Sequence, residues 1–222
     1  DQRAYEDFCA NQEAVEKFTL DKPALICRWR MSNKKVPMLN RHIRALSERL
    51  VQGEPLTHNM LSWAKQHVEW SLAEGDYTAR DGVLMLVIDV NGNAAMTVGE
   101  YEPLADTSAK ALRARSAEAR SEADETGVAP ELLAAVNNGE LAFVAPADEC
   151  LCGTATLIEQ LAQTKGIPVT RVDIPAQLKG ALFLVSDEHG VVPATETDAA
   201  EADAATVAFF ADGYEKLRAR RS

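Results

Sequence analysis

Residues 137–194 constrain the fold more than any other part of the chain, because turn, strand and helix signals follow one another there almost without padding. Asn137-Asn138-Gly139 is a turn signal, since Asn and Gly tolerate positive φ. Residues 141–144 read as a short apolar strand that Pro146 ends. Gly153 precedes residues 154–165, in which Leu157, Ile158 and Leu161 share one helical face, and Gly166 and Pro168 stop that helix. A glycine at a helix start leaves backbone amides open, so this start reads either as an anion site or as an ordinary loop-to-helix junction. Residues 170–174 alternate like a half-buried strand, residues 181–185 are continuous enough for a fully buried one, and residues 190–193 close the stretch.

Upstream, residues 1–18 read as a helix with Phe8, Val15 and Phe18 on its apolar side, residues 25–31 as a strand and residues 32–35 as a turn. A helix over 40–51 carries Ile43, Leu46 and Leu50 inward, and one over 56–72 carries Leu61, Val68 and Leu72, flanked by Trp63 and Trp70. Residues 83–90 and 94–98 flank Asn91-Gly92, the strongest short-range hairpin signal. Pro103 marks a link over 103–107, which divides an α/β lobe at 1–102 from a β-rich lobe with helices at 108–222. Residues 108–126 carry charges on nearly all sides and predict a mostly solvated helix. Residues 199–205 read as an acidic link, and residues 206–218 as a last helix docking Val207, Phe210 and Leu217.

A chain of 222 residues can bury a sizeable core. Its net charge of -11 argues against nucleic acid or an anionic membrane surface as partner, and the basic run 218–221 is too short to reverse this. No apolar run approaches the roughly 18 residues of a membrane span, and no signal-peptide pattern precedes the first helix. Cys9, Cys27, Cys150 and Cys152 form neither metal-ligand pairs nor a disulfide framework, so they read as reduced cysteines of a cytoplasmic protein. His58 and His67 stand off any metal-ligand spacing and read as surface or boundary residues.

Gly139-Glu140-Leu141, Pro146, Cys150 to Thr156, Gly166-Ile167-Pro168-Val169, Leu182 to Val185 and Gly190-Val191-Val192-Pro193 resemble, in order and spacing, the C-terminal half of the class IV aminotransferases. That family includes the D-amino-acid and branched-chain aminotransferases and aminodeoxychorismate lyase. Leu39 to Leu46 is similar to the family's Leu-Asp-x-His-Leu-x-Arg-Leu helix. The resemblance covers about half the chain. It implies an α+β, two-lobe fold like that of D-amino-acid aminotransferase, shortened, and a homodimer, to which Trp29, Trp63 and Trp70 add weight.

The family holds pyridoxal phosphate with a lysine Schiff base, a glutamate on the pyridine nitrogen, and an arginine, threonines and amides around the phosphate. Carried over residue by residue, this set is depleted. The phosphate arginine falls on Ala45, with Arg44 adjacent but turned about 100° around the helix. In the Leu-Pro-Gly-x-Thr-Arg motif Gly153 survives, while the proline, threonine and arginine fall on Cys152, Ala155 and Thr156. The small hydroxyl residue of the final strand falls on Asp187, or on Ser186 if the register slips by one, and a carboxylate there repels a phosphate dianion. The glutamate loop, due between Val136 and Asn137, is missing. Counting back from Gly127 puts Ala109 at the lysine position, and Lys110 fits only with a one-residue deletion.

The resemblance therefore implies a degenerate member with no cofactor. Such a protein serves as a scaffold or binds a small anionic metabolite near Arg44, Gly153, Thr154, Thr156 and Ser186. The alternative is an aminotransferase or aminodeoxychorismate lyase type of enzyme that uses pyridoxal phosphate on Lys110.

Overall fold

The structure is a computed structural model that describes residues 20–74, 81–126, 131–196 and 198–220. The helix expected over 1–18 lies outside the described residues, as does Cys9. In the first half, strand β1 (Pro23–Ser32) leads through a turn with Asn33 and Lys34 at positive φ to helix α1 (Leu39–Leu46). A two-stranded ribbon, β2 (Leu50–Val51) and β3 (Glu54–Pro55), precedes helix α2 (His58–Glu74), and β4 (Asp81–Asp89) and β5 (Ala94–Glu100) follow. The helix expected to reach residue 51 thus stops at Leu46. Gln52 and Gly53, at φ 53° and 79°, form a tight hairpin turn that pairs Val51 with Glu54. Leu50, which continues the helical spacing, is consequently exposed rather than inward.

Strands β1, β4 and β5 form an antiparallel sheet in that order. Its hairpin turns at Asn91-Gly92, where the buried Asp89 carboxylate accepts the Asn91 and Asn93 amides, both at 2.9 Å. Leu25, Trp29, Leu84 and Leu86 pack from this sheet against Leu46 of α1 and Ala64, Val68 and Leu72 of α2. Each fully buried side chain of this size contributes roughly 1.5–3 kcal/mol.

The second half contains α3 (Ala109–Thr126), β6 (Leu132–Asn137), β7 (Glu140–Val144), α4 (Gly153–Thr164), β8 (Val169–Val172), β9 (Ala181–Ser186), β10 (Gly190–Pro193) and α5 (Glu201–Arg218). The five strands lie in the order β10-β9-β6-β7-β8, antiparallel except for β7 and β8, which α4 joins as a crossover. Residues 141–144 and 181–185, each read as a strand from the sequence, therefore share one sheet. Both faces of that sheet are covered. Leu132, Ala134 and Val136 of β6 point to α4 and α5, while Leu133 and Ala135 point to Leu112 of α3. This two-sided burial explains continuous apolar strands in place of alternating ones.

Two boundaries in this second half also differ from expectation. The strand read over 170–174 ends at Val172, because the Asp173 and Ile174 amides turn to the Gln177 side chain and Ile174 is left 53% exposed. The acidic link read over 199–205 is helical from Glu201. Its Asp203 is buried and accepts the Asn138 and Gly139 amides of the β6–β7 turn.

Candidate functional site

The N-terminus of α4 is built by close approach. A Cβ on Gly153 would stand 2.5 Å from Nδ1 of His42 and 3.3 Å from its Cα, so only glycine lets α4 pack this tightly on α1. The N-cap residue, Cys152, is extended and caps with no side-chain bond. The first-turn donors are met from elsewhere: the Thr154 amide and the Thr154 hydroxyl both donate to Oδ1 of Asp187, at 2.9 and 2.8 Å. Asp187 follows β9, and its carbonyl accepts the Arg30 amide at 3.1 Å, which joins the two sheets at this turn. A negative group at a helix N-terminus is favourable, and here it comes from the chain itself.

His42 stacks on Trp29 with ring centroids 5.3 Å apart and planes 8° apart. It is 2% exposed, and its Nδ1 lies 3.6 Å from Asp187 Oδ1 without a hydrogen-bond partner. Burial pushes its pKa below the ordinary 6.5, against the pull of Asp187 and with the help of Arg41. The unfolded chain thus takes up a proton near pH 6.5 that the folded protein refuses. Stability contributed at higher pH is lost as pH falls from 6.5 toward the depressed folded value. Melting curves of wild type and His42→Gln between about pH 7.5 and 5 should show the wild type losing stability more steeply. Parallel profiles would remove this contribution.

A cavity of about 70 Å³ adjoins this junction, with Cys27, Trp29, His42, Arg49, Cys152 and Asp187 in its wall. Burial first, and the Asp187 charge second, push the Cys27 thiol up to about 12 and the Cys152 thiol well up, so neither is a ready thiolate. A larger cleft of about 790 Å³ opens beside it, between β5, α3 and the β9–β10 turn. This volume falls within the roughly 300–1,000 Å³ of ligand pockets.

Six glutamates and two arginines line the cleft, and both arginines are engaged. Arg28 meets Glu122 at 2.7 Å, and Arg115 meets Glu131 through two nitrogens at 3.1 and 2.7 Å. His189 is held between Tyr101, at 3.1 Å on Nδ1, and Glu188, at 2.7 Å on Nε2. Burial opposes ionisation of Glu188, yet the His189 bond and charge outweigh it and hold the carboxyl below its usual range. The Arg30 guanidinium lies 3.3 Å above the Tyr101 ring. Among the described residues no group of His, Cys, Asp and Glu is placed to hold a metal ion.

Of the residues the sequence singled out, Gly153, Thr154 and Asp187 come together. Thr156 turns away, donating to the Gly153 carbonyl at 2.6 Å and accepting from Arg41 at 3.1 Å. Arg44 is exposed on α1, and Arg41 is the α1 residue that reaches α4. Ser186 is buried beneath the turn, where its hydroxyl accepts the Glu188 and His189 amides. Lys110 is exposed in the first turn of α3 and belongs to the wall of neither cavity. His42, Arg115, Glu131, Glu188 and His189 were not foreseen. Only the Glu188-His189 pair beside Gly190 offered a local signal.

Pyridoxal phosphate needs a lysine in the cleft and a free cup for its phosphate. Among the described residues no lysine lines either cavity, the Thr154 donors already hold a carboxylate, and the cleft arginines are paired. The residues present do not fit the cofactor.

No protein-family model and no curated protein sequence matches the chain. Solved structures do. A hypothetical aminotransferase from Mycobacterium tuberculosis, in its apo form, superposes with a TM-score of 0.61 at 15% identity, over 95% of this chain and 92% of that one. A putative branched-chain amino acid aminotransferase from Thermotoga maritima gives 0.60 at 14% identity, over 93% of each chain. A putative 4-amino-4-deoxychorismate lyase from Legionella pneumophila gives 0.59 at 10% identity, over 90% of this chain and 97% of that one. The chain thus has the α+β fold of the class IV aminotransferases and aminodeoxychorismate lyases.

Proposed function

We propose that this protein keeps the two-lobe fold, with residues 103–107 linking lobes 1–102 and 108–222, without pyridoxal phosphate chemistry, and serves as a small-metabolite binder or scaffold. The observation that carries this reading is the Asp187 carboxylate on the two Thr154 donors, where a cofactor phosphate would need them free. The cleft of about 790 Å³ supports a binding role. A small anion at Gly153 and Thr154 has to displace Asp187 first.

The second reading is an aminotransferase or lyase that carries pyridoxal phosphate on Lys110. It draws on the enzymes that share the fold, and it requires α3 to turn Lys110 inward. Borohydride reduction of protein incubated with pyridoxal phosphate, followed by peptide mass mapping, decides between them. The expected result is no label or scattered surface labelling, whereas stoichiometric labelling of Lys110 establishes the enzyme.

The reading includes a homodimer. Trp63 and Trp70 are 38% and 64% exposed on α2 with His67 stacked on Trp63, whereas Trp29 is buried. Light scattering of the same preparation reads its mass, and a monomer at all concentrations removes this part. Free Cys27, Cys150 and Cys152 favour a cytoplasmic setting, which cell fractionation checks. Among the described residues no helix is long and apolar enough to cross a membrane.

A further inference from the structure

We infer that Asp187 is an internal stand-in for a tetrahedral oxyanion, and that it alone closes the N-terminus of α4 to phosphate, sulfate and phosphate monoesters. The inference rests on the reading that cofactor binding has been lost, and names the residue responsible. Two donors of Thr154 converge on one oxygen of Asp187, at 2.9 and 2.8 Å, at the positive end of a 12-residue helix. A third polar atom is aimed at the same point without being used. Nδ1 of His42, on a side chain 1% exposed, stands 3.6 Å from that oxygen with no hydrogen-bond partner.

A carboxylate has two oxygens, and the one at this junction satisfies Thr154 while falling short of His42. A tetrahedral anion in the same seat presents a further oxygen, which His42 reaches in its Nδ1–H tautomer. Gly153 leaves room for the imidazole there, since any Cβ would collide with it. Arg49 lines the adjoining cavity. With Asp187 ionised, an incoming dianion meets like charge at contact distance as well as an occupied seat.

The turn that carries Asp187 has anchors besides that side chain. Its carbonyl is held by the Arg30 amide at 3.1 Å, and the following amides of Glu188 and His189 are held by the Ser186 hydroxyl, both at 3.1 Å. Asp187→Ser therefore removes the charge and shortens the side chain while the backbone of the turn stays fixed. Asp187→Asn removes the charge but still fills the seat.

Isothermal titration with inorganic phosphate tests this. Asp187→Ser should gain about tenfold to a hundredfold in affinity over wild type, the factor that one charge-assisted contact supplies. Asp187→Asn should gain less, because the seat stays filled. A folded Asp187→Ser protein that gains nothing overturns the inference, and so does wild-type protein that binds phosphate as tightly as the variant. Should the serine variant not fold, Asp187→Gly carries the same test, since it keeps the Arg30 bond. Inorganic phosphate forms no Schiff base, so this outcome is independent of lysine labelling in wild type, on which the reading of lost cofactor chemistry stands or falls.

Discussion

Phe210→Ala should lower stability by about 3–5 kcal/mol, the range for removing a fully buried aromatic ring. Phe210 is 0% exposed on α5 and packs on Phe183 of β9, with ring centroids 6.1 Å apart, and on neighbouring Phe209 at 5.8 Å. It belongs to the cluster of Phe143, Val185, Ile158 and Val207 that joins α4 and α5 to one face of the five-stranded sheet. These neighbours come from two helices and two strands, so no single side chain can swing into the vacated space. At roughly 2–4 °C per kcal/mol for a chain of this size, the melting midpoint should fall by about 6–20 °C. A fall of only about 2 °C would mean that α5 packs elsewhere in solution.

Asp203→Ala should cost about 3 kcal/mol, because hydrogen bonds to a charged group contribute roughly 1.5–3 kcal/mol each and coupled bonds do not add fully. The carboxylate accepts the Asn138 amide at 2.9 Å and the Gly139 amide at 3.0 Å, and the residue is 4% exposed. Those amides belong to a turn with φ of 51° and 77°, which leaves both pointing away from the hairpin's own carbonyls. Asp203 also lies in the first turn of α5, where its charge favours the helix. Asp203→Asn keeps one acceptor and should lose about half as much. Urea titration reads both variants, and hydrogen exchange at Asn138 and Gly139 locates the effect. Exchange unchanged at these two amides would separate Asp203 from the turn.

Much of the fold was legible because its signals are local. Asn91-Gly92 and Asn138-Gly139 are turns by backbone preference, and the hairpins around them follow from the apolar runs on either side. The overshoot of α1 has the same origin. Leu50 keeps helical spacing, and a pattern of spacing cannot register that Gln52 and Gly53 turn the chain back two residues later. The start of α5 was hidden for the opposite reason. Acidic residues between alanines look like a solvated link until Asp203 is seen to serve a hairpin 64 residues away.

The candidate site was legible by subtraction. By the resemblance alone, Ala45, Ala155 and the absent glutamate loop stand where the family places its binding groups. Sequence alone determined the turns at Asn91-Gly92 and Asn138-Gly139, the strand-helix-strand order over 141–172 and the full burial of residues 181–185. Each of these depends on residue type and spacing within a few turns of chain. Only the tertiary structure decided that the Asp187 carboxylate holds the amide and hydroxyl of Thr154, 33 residues away. It also set His42 beside that carboxylate and paired Arg28 with Glu122 across 94 residues. Hydrogen bonds and ion pairs over such separations depend on how the sheets and helices pack, and residue spacing along the chain carries no record of that distance.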